Sequence, residues 1–168
     1  MKTIAKHHSN RELIARAVII CNDALLVNAS TNSKSGQKYF ALPGGHVDAG
    51  ESCVQALERE LREELEVEIE TGDLCFVAES IYEGRKRSDQ TRHELVLFFR
   101  AVLSSELKYF EGHIASPEPK KDFRWLPLSD LPQAPLFPFA LKQWLAADGL
   151  MPASPTTSLY SFHDSTIR

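Results

Sequence analysis

The sequence predicts an α/β fold, in which a mixed β-sheet is sandwiched between helices in an α/β/α arrangement. Short apolar and β-branched runs bounded by turn residues recur along the chain. An amphipathic helical pattern at 52–65 interrupts them, and a shorter helical pattern ends the segment 131–147. We predict one domain over residues 1–148, because a chain of 168 residues can bury a core without disulfides. Residues 149–168 are predicted to be a tail that is mobile or packs on a neighbour.

The composition limits which partners the protein is expected to bind and in which cellular compartment it is expected to lie. Lys plus Arg (19) against Asp plus Glu (23) leave a net charge of −4, which argues against strong non-specific binding to nucleic acid. Cys21, Cys53 and Cys75 show no metal-ligand spacing, so neither a disulfide framework nor a zinc site is expected. No apolar run approaches the roughly 18 residues of a membrane span, and the start of the chain lacks a signal-peptide core. We expect no membrane contact and a reducing cytoplasm.

The chain before the helix predicts three short strands. Residues 15–20 and 24–29 are apolar runs separated by a Cys-Asn-Asp turn, which predicts a β-hairpin. A polar loop at 31–38 could present Lys38 to a ligand. Residues 39–43 predict a strand that stops at Pro-Gly-Gly.

The helix is the most strongly patterned element. Ser52 and Gln55 have the spacing of a capping box, so the helix is predicted to begin there. Apolar residues then recur at helical spacing and predict one buried face: Val54, Leu57, Leu61 and Leu65.

The second half of the chain predicts further strands. Residues 67–82 form one strand or two short strands broken at Thr-Gly-Asp, and both alternatives stay open. Residues 94–103 predict a partner strand, so that the two form a long hairpin around the polar, basic loop at 83–92. Residues 123–128 predict one more strand.

Negative charge is concentrated in residues 59–66, RELREELE. Glu60, Glu63 and Glu64 have i, i+3 and i+4 spacing, so we expect them to crowd one helix face opposite the leucines. Each like-charge pair costs about 0.2–0.5 kcal/mol. One interpretation is a solvated face with ion pairs at helical spacing: Glu58 with Arg62, and Arg59 with Glu63. The other is a hard divalent cation, which takes several oxygen ligands.

The residues upstream favour the cation. The segment 45–67, GHVDAGESCVQALERELREELEV, resembles the Nudix box, whose pattern is G-x5-E-x7-R-E-U-x-E-E-x-G-U with U apolar. The matching residues are Gly45, Glu51, Arg59, Glu60, Leu61, Glu63, Glu64 and Val67. So many fixed matches arise by chance on the order of once in a million. Glu66 departs from the pattern, because the family has glycine there, at a helix end that usually needs a left-handed residue.

The resemblance implies the family's α/β/α fold and hydrolysis of a diphosphate linkage in a nucleoside diphosphate joined to another group. It implies that Glu60, Glu63 and Glu64 bind Mg²⁺ or Mn²⁺. The carbonyl oxygen of Gly44, just before the box, is a further candidate ligand.

The resemblance also implies the roles of the residues around the metal. Arg59 would orient Glu51 through a salt bridge. The general base that takes a proton from the attacking water is Glu63 or Asp122, and both candidates stay open. Asp122 is a candidate because relatives often carry an acidic residue three positions before a tryptophan, as in the sequence DFRW.

Substrate recognition is predicted less specifically. Arg85, Arg87 and Arg92 form a basic loop that could grip a polyphosphate or an RNA 5′ end, although a solvated hairpin tip is the alternative. Tyr82 could stack on a base, and Lys38 could add positive charge. Nucleoside triphosphates or dinucleoside polyphosphates are favoured as substrates, then ADP-ribose or nucleotide sugars, then RNA 5′ ends.

Two readings from other classes stay open. A Nudix-fold nucleotide sensor without turnover is opposed by the intact box glutamates, which silent members tend to lose. An unrelated α/β interaction domain with an acidic helix predicts no divalent-dependent change in melting temperature. Relatives are often dimers, so a homodimer is open as well.

Overall fold

The structure is a computed structural model that describes residues 10–32, 36–83, 91–110, 113–149 and 158–161. In chain order the described elements are β1 (Asn10–Val18), β2 (Ile20–Cys21), β3 (Ala24–Thr31), β4 (Lys38–Ala41), β5 (Gly44–His46), α1 (Cys53–Leu65), β6 (Ile69–Glu83), β7 (Thr91–Leu103), β8 (Tyr109–Phe110), β9 (His113–Ile114), β10 (Phe123–Pro127), α2 (Phe139–Trp144) and β11 (Ser158–Ser161). A 3-10 turn at Leu128–Asp130 follows β10, and a π-helical turn at Leu145–Gly149 extends α2.

The strands form a mixed sheet and an antiparallel sheet, with a small β8–β9 hairpin beside them. The first sheet has the order β11-β6-β7-β1-β5, in which β1 is parallel to β7 and β11 is parallel to β6. The second has the order β10-β3-β2, and β4 also pairs with β3. The predicted mixed sheet is confirmed.

Side-chain alternation along the strands of the mixed sheet explains why a helix packs on each face of that sheet. In β1, Ala15 belongs to the buried cluster that contains Leu57 of α1. The adjacent Ile14 points the other way, into the cluster that contains Trp144 of α2. Trp144 also stacks on Phe76 of β6, with 5.4 Å between ring centroids. The predicted α/β/α class is therefore confirmed.

The predicted hairpin of residues 15–20 with 24–29 is wrong in its first strand. β1 runs through Val18 and belongs to the mixed sheet, and it is β2 that pairs with β3. Asn22 and Asp23 close that turn with φ of 48° and 57°, as a tight two-residue hairpin requires. The physical reason is that β1 finds a parallel partner in β7 along its whole length, far away in sequence.

Helix α1 begins where the capping box predicts. Ser52 Oγ accepts a hydrogen bond from the Gln55 N–H at 3.2 Å, and Gln55 Oε1 accepts one from the Ser52 N–H at 2.9 Å. The three leucines of the predicted face are buried, but Val54 is 37% exposed, so the prediction is wrong for this residue. The buried stripe starts instead at Ala56, where the helix packs against β5 and β1.

The long hairpin predicted in the second half is confirmed. β6 and β7 are antiparallel neighbours. Of the two alternatives for residues 67–82, the single strand is correct, with register shifts between Thr71 and Phe76 that absorb the turn-like Thr-Gly-Asp sequence. The predicted strand at 123–128 is confirmed as β10.

The remaining expectations concern the tail, the cysteines and the membrane. Ser158–Ser161 form β11 at the edge of the mixed sheet, while 150–157 and 162–168 lie outside the described residues, so the division at residue 148 stays a prediction. All three cysteines are free thiols, as expected. Burial raises the pKa of the Cys75 thiol to about 11. In the described ranges, every helix is too short or too polar to cross a membrane.

Candidate active site

Two glycines bring β5 against both β1 and α1. Gly44 has a φ of +118°, and a Cβ there would lie 2.4 Å from the Ala15 carbonyl oxygen. A Cβ on Gly45 would lie 2.3 Å from the carboxyl carbon of Glu60. Gly44 fits only as glycine, because its neighbour is main chain, whereas a side chain at Gly45 would have to displace the Glu60 carboxylate. The main chain of β5 therefore meets the acidic turns of α1 directly.

Arg59 gathers the carboxylates at this point into one cluster. Its Nη2 and Nε donate to the two oxygens of Glu51 at 2.7 and 3.2 Å. Its Nη1 donates to Glu60 at 3.0 Å and to Glu63 at 3.2 Å. Its Nη2 also donates to the carbonyl oxygen of His46 at 3.1 Å. The structure thus brings Arg59 and Glu51 together, as the resemblance implies, and we call these five residues the Arg59 cluster.

The Arg59 cluster keeps Glu51 ionised. The hydrogen bond from Arg59 is the main reason that the pKa of Glu51 lies below its ordinary value of 4.5. A second hydrogen bond, from the Asp48 N–H at 2.8 Å, lowers the pKa of Glu51 further. The same contacts raise the pKa of Arg59, so this ion pair is fully charged at neutral pH.

Glu64 corrects the predicted geometry of the helix face. The sequence predicts an exposed acidic face, yet Glu64 is only 1% exposed. One carboxylate oxygen accepts the Gly44 N–H at 3.2 Å, and the other is bound by the ammonium group of Lys121. These polar partners make the burial tolerable, since a buried charge without them is very costly. Burial raises the pKa of Glu64, while Lys121 and Gly44 pull the pKa down.

Arg62 forms its ion pair with Glu68, whereas the predicted partner is Glu58. Its Nε and Nη2 donate to the two oxygens of Glu68, both at 2.8 Å. The alternative of ion pairs at helical spacing is therefore realised at the Arg59–Glu63 pair, at 3.2 Å, while Arg62 reaches beyond the helix.

Lys121 and Arg16 are functional candidates that sequence reasoning missed. Arg16 Nη1 donates to the Leu42 carbonyl at 3.0 Å and to the carbonyl of Gly44. Burial lowers the pKa of Arg16. An arginine among the apolar residues of β1 is the signal that could have found it. A single lysine at position 121 carries no such signal.

Asp122, the second candidate base, follows Lys121 directly. Its N–H donates to Asn28 Oδ1 at 3.1 Å, and its half-exposed carboxylate binds Arg124. The peptide that carries Asp122 is thus held next to the residue that contacts Glu64.

The structure describes only some of the predicted substrate-binding residues. Lys38 is exposed at the first position of β4, opposite Thr31. Tyr82 and Arg92 face each other in the β6–β7 register, but their side chains lie outside what the structure describes. Arg85 and Arg87 fall outside the described residues altogether.

The donors of the site fit a hard divalent cation by their chemistry, since Glu60, Glu63 and Glu64 offer carboxylate oxygens. Their arrangement is not that of a preassembled centre. In the described part of the chain, no three acidic, histidine or cysteine side chains are grouped so that they could hold a metal ion. Cationic side chains bind these carboxylates instead: Arg59 binds Glu60 and Glu63, and Lys121 binds Glu64.

The family model for the NUDIX domain matches residues 11–147. The chain therefore belongs to the NUDIX family. The class of enzyme expected from the box, a Nudix hydrolase, is confirmed with it.

Solved structures agree on the fold. A NUDIX hydrolase from Nitrosomonas europaea is similar with a TM-score of 0.64 and 18% identity, over 94% of this chain and 82% of that one. A mutator MutT protein from Bacillus halodurans has a TM-score of 0.62 and 19% identity, over 90% and 89%. An ADP-ribose pyrophosphatase from Streptococcus suis has a TM-score of 0.55 and 19% identity, over 90% and 98%. Identities this low support the fold alone.

Proposed function

We propose that the protein is a divalent-metal-dependent pyrophosphohydrolase that cleaves a diphosphate linkage in a nucleoside diphosphate joined to another moiety. The observation that carries the proposal is the meeting of α1 and β5. Glu60 lies against Gly45, and Glu64 accepts the N–H of Gly44, so two box carboxylates converge on one stretch of main chain. Membership of the NUDIX family supports the same reaction class.

The residues that would hold Mg²⁺ or Mn²⁺ are Glu60, Glu63 and Glu64, with the carbonyl of Gly44 as a further candidate. A bound divalent ion supplies neutralisation of phosphate charge and a lower pKa for bound water. The Gly44 carbonyl accepts a hydrogen bond from Arg16. Arg16 therefore orients this oxygen, or competes for it.

The Arg59 cluster has a positioning role in this proposal. Arg59 fixes Glu51 with two hydrogen bonds and holds Glu60 and Glu63 on the same side of α1. Fixed side chains that orient a site are worth about ten- to a hundredfold in affinity or activity.

Glu63 and Asp122 remain the candidate general bases. Both side chains are open to water, with Glu63 56% and Asp122 49% exposed, and each is paired with an arginine, Glu63 with Arg59 and Asp122 with Arg124. Glu63→Gln and Asp122→Asn separate the two, because a general base acts only when it is deprotonated, so its loss removes the acidic limb of the pH profile of kcat. Because Glu63 is also a proposed metal ligand, both variants are measured at saturating metal, and the variant whose kcat loses its acidic limb there identifies the base.

The favoured substrates are nucleoside triphosphates or dinucleoside polyphosphates, before ADP-ribose or nucleotide sugars and RNA 5′ ends. The proline that many ADP-ribose pyrophosphatases carry about 16 residues past the box is missing, since Tyr82, Glu83 and Gly84 stand there. We also propose a cytoplasmic location, supported by three free cysteines, and leave a homodimer to be tested by light scattering.

A product-resolved hydrolysis panel with Mg²⁺ and then Mn²⁺ tests the proposal. It contains dNTPs, NTPs, diadenosine polyphosphates, ADP-ribose, nucleotide sugars and triphosphorylated RNA. Glu63→Gln is the loss variant, and Glu58→Gln is its matched control on the same helix. A preferred substrate that Glu58→Gln still cleaves and Glu63→Gln does not would support the proposal. If no metal-dependent product forms from any substrate while nucleotides bind, the nucleotide-sensor alternative replaces it.

A further inference from the structure

We propose that Lys121 is a built-in cation that occupies Glu64 in the metal-free protein and must leave it when a divalent cation binds. Lys121 thereby sets how tightly the metal is held. This inference rests on the proposed function, because it concerns the same carboxylate.

The first step of the argument is the burial of Glu64. With 1% of the residue exposed, its carboxylate has little access to water, and its partners are the Gly44 N–H and the Lys121 ammonium. A divalent ion on this carboxylate would lie within a few ångströms of that ammonium. Two cations so close in a dry site repel each other strongly. The carboxylate can therefore serve one of them well, but not both.

The second step is that Lys121 is free to move and Arg59 is not. The Lys121 side chain is 25% exposed, and in the described part of the chain its one ion-pair partner is Glu64. Arg59, in contrast, keeps Glu51 and the His46 carbonyl even if Glu60 and Glu63 turn to a metal. A lysine is a strongly hydrated point charge on a flexible stem, so water readily receives it.

The third step is that the main chain around Lys121 holds still when its side chain leaves. Ser116 Oγ donates to the main-chain carbonyl of Glu64 at 2.7 Å. The Lys121 N–H donates to the Glu118 carbonyl at 3.0 Å, and the Asp122 N–H donates to Asn28 at 3.1 Å. The segment stays attached to α1 and β3, so only the lysine side chain has to swing out.

The consequence is that metal binding exchanges one cation for another at Glu64. Removal of the Lys121 charge then tightens binding of the metal, although it leaves the metal-free protein less stable. A lysine that served only to stabilise the fold would have no such effect on metal affinity, and a lysine that supported the site would have the opposite effect.

The test is a titration with Mn²⁺ alone, followed by electron paramagnetic resonance of the free ion, on wild type, Lys121→Met and Lys108→Met. Lys108 is the matched control, because it binds the exposed Glu66 at the same end of α1. We expect Lys121→Met to bind Mn²⁺ at least about fivefold more tightly than wild type, the lower end of typical coupling between two sites. Lys108→Met should bind it as wild type does.

The outcomes separate this inference from the proposed function. Unchanged or weaker Mn²⁺ binding by Lys121→Met, with normal binding by wild type, overturns the inference and leaves the proposed function standing. Tighter binding without hydrolysis of any substrate supports the inference and overturns the proposed function. If no variant binds Mn²⁺, both are overturned.

A second measurement covers the case in which Lys121→Met fails to fold. Wild type labelled with ¹³C and ¹⁵N in lysine is titrated with Mg²⁺, and the side-chain signal of Lys121 is assigned with Lys121→Arg. We expect this signal to move towards that of a solvated lysine as the backbone signals of α1 saturate, while the Lys108 signal stays in place. A Lys121 signal that does not move during that saturation overturns the inference.

Discussion

Helix α1 carries two carboxylate regions that neutralise their charge in different ways. In the Arg59 cluster, one guanidinium serves three glutamates that keep partial access to water. Glu64, the residue that directly follows Glu63, is buried instead, and its charge is met by Lys121, a lysine 57 residues away. The comparison teaches that the box is not a uniform acidic face. One region is organised locally, and the other depends on a distant segment.

The largest effect is expected from Glu64→Gln, which breaks the buried region. Turnover should fall at least about a hundredfold, since a metal ion contributes several kcal/mol and each 1.4 kcal/mol is tenfold. The free energy of unfolding should also fall by about 1.5–3 kcal/mol, the typical contribution of a hydrogen bond between charged groups, because the bond from Lys121 to the Glu64 carboxylate is lost. Steady-state kinetics and urea unfolding measure the two effects. Wild-type kcat in this variant would remove Glu64 from the site.

The next prediction compares alanine substitutions at Gly44 and Gly45, the two glycines that contact these regions. In Gly44→Ala the new methyl group collides with the main chain at Ala15 and sits at a φ of +118°, so we expect a loss of about 1–3 kcal/mol in stability. In Gly45→Ala the methyl group meets only the flexible carboxylate of Glu60. This variant should stay folded and lose about ten- to a hundredfold in kcat/KM. Equal melting temperatures of the two variants would contradict the difference.

A smaller effect is expected in the pH dependence of stability that the ion pair of Glu51 and Arg59 contributes. Because the folded-state pKa of Glu51 lies below 4.5, its ionised pair with Arg59 stabilises the fold above pH 4.5. That contribution is lost as the pH falls from there through the folded-state pKa. The difference in melting temperature between wild type and Glu51→Gln should therefore be largest at neutral pH and shrink below pH 4.5. A difference that is constant from pH 7 to pH 3 would contradict the assignment.

The smallest effect is expected at the end of the helix. Glu66 has a φ of 54° and a ψ of 36°, the left-handed conformation, and its N–H donates to the Arg62 carbonyl at 3.0 Å. Glu66→Gly should relieve about 1 kcal/mol of backbone strain. It loses an exposed pair with Lys108, worth about 0–1 kcal/mol. Calorimetry should show a neutral or raised melting temperature, and a clear fall would contradict this account.

The sequence by itself determined the features that depend on near neighbours. The spacing of Ser52 and Gln55 predicts the start of α1, and the resemblance to the Nudix box implies the ion pair of Glu51 and Arg59; both contacts join residues no more than eight positions apart. The left-handed residue at Glu66 follows from the family's glycine at that position. Short apolar runs bounded by turn residues likewise predict β4, the β6–β7 hairpin and β10.

Only the tertiary structure decided which partners meet across the chain. Glu64 is buried because Lys121, 57 residues away, and the Gly44 N–H arrive at its two oxygens. Arg16 reaches the Gly44 carbonyl across 28 residues, and β1 leaves its sequence neighbour to pair with β7. Periodicity shows which side of an element is apolar, but a buried charge is tolerated only where the fold places an oppositely charged or hydrogen-bonding group beside it. The topology of the sheet brings that partner into place from a distant part of the sequence, and no local sequence pattern encodes it.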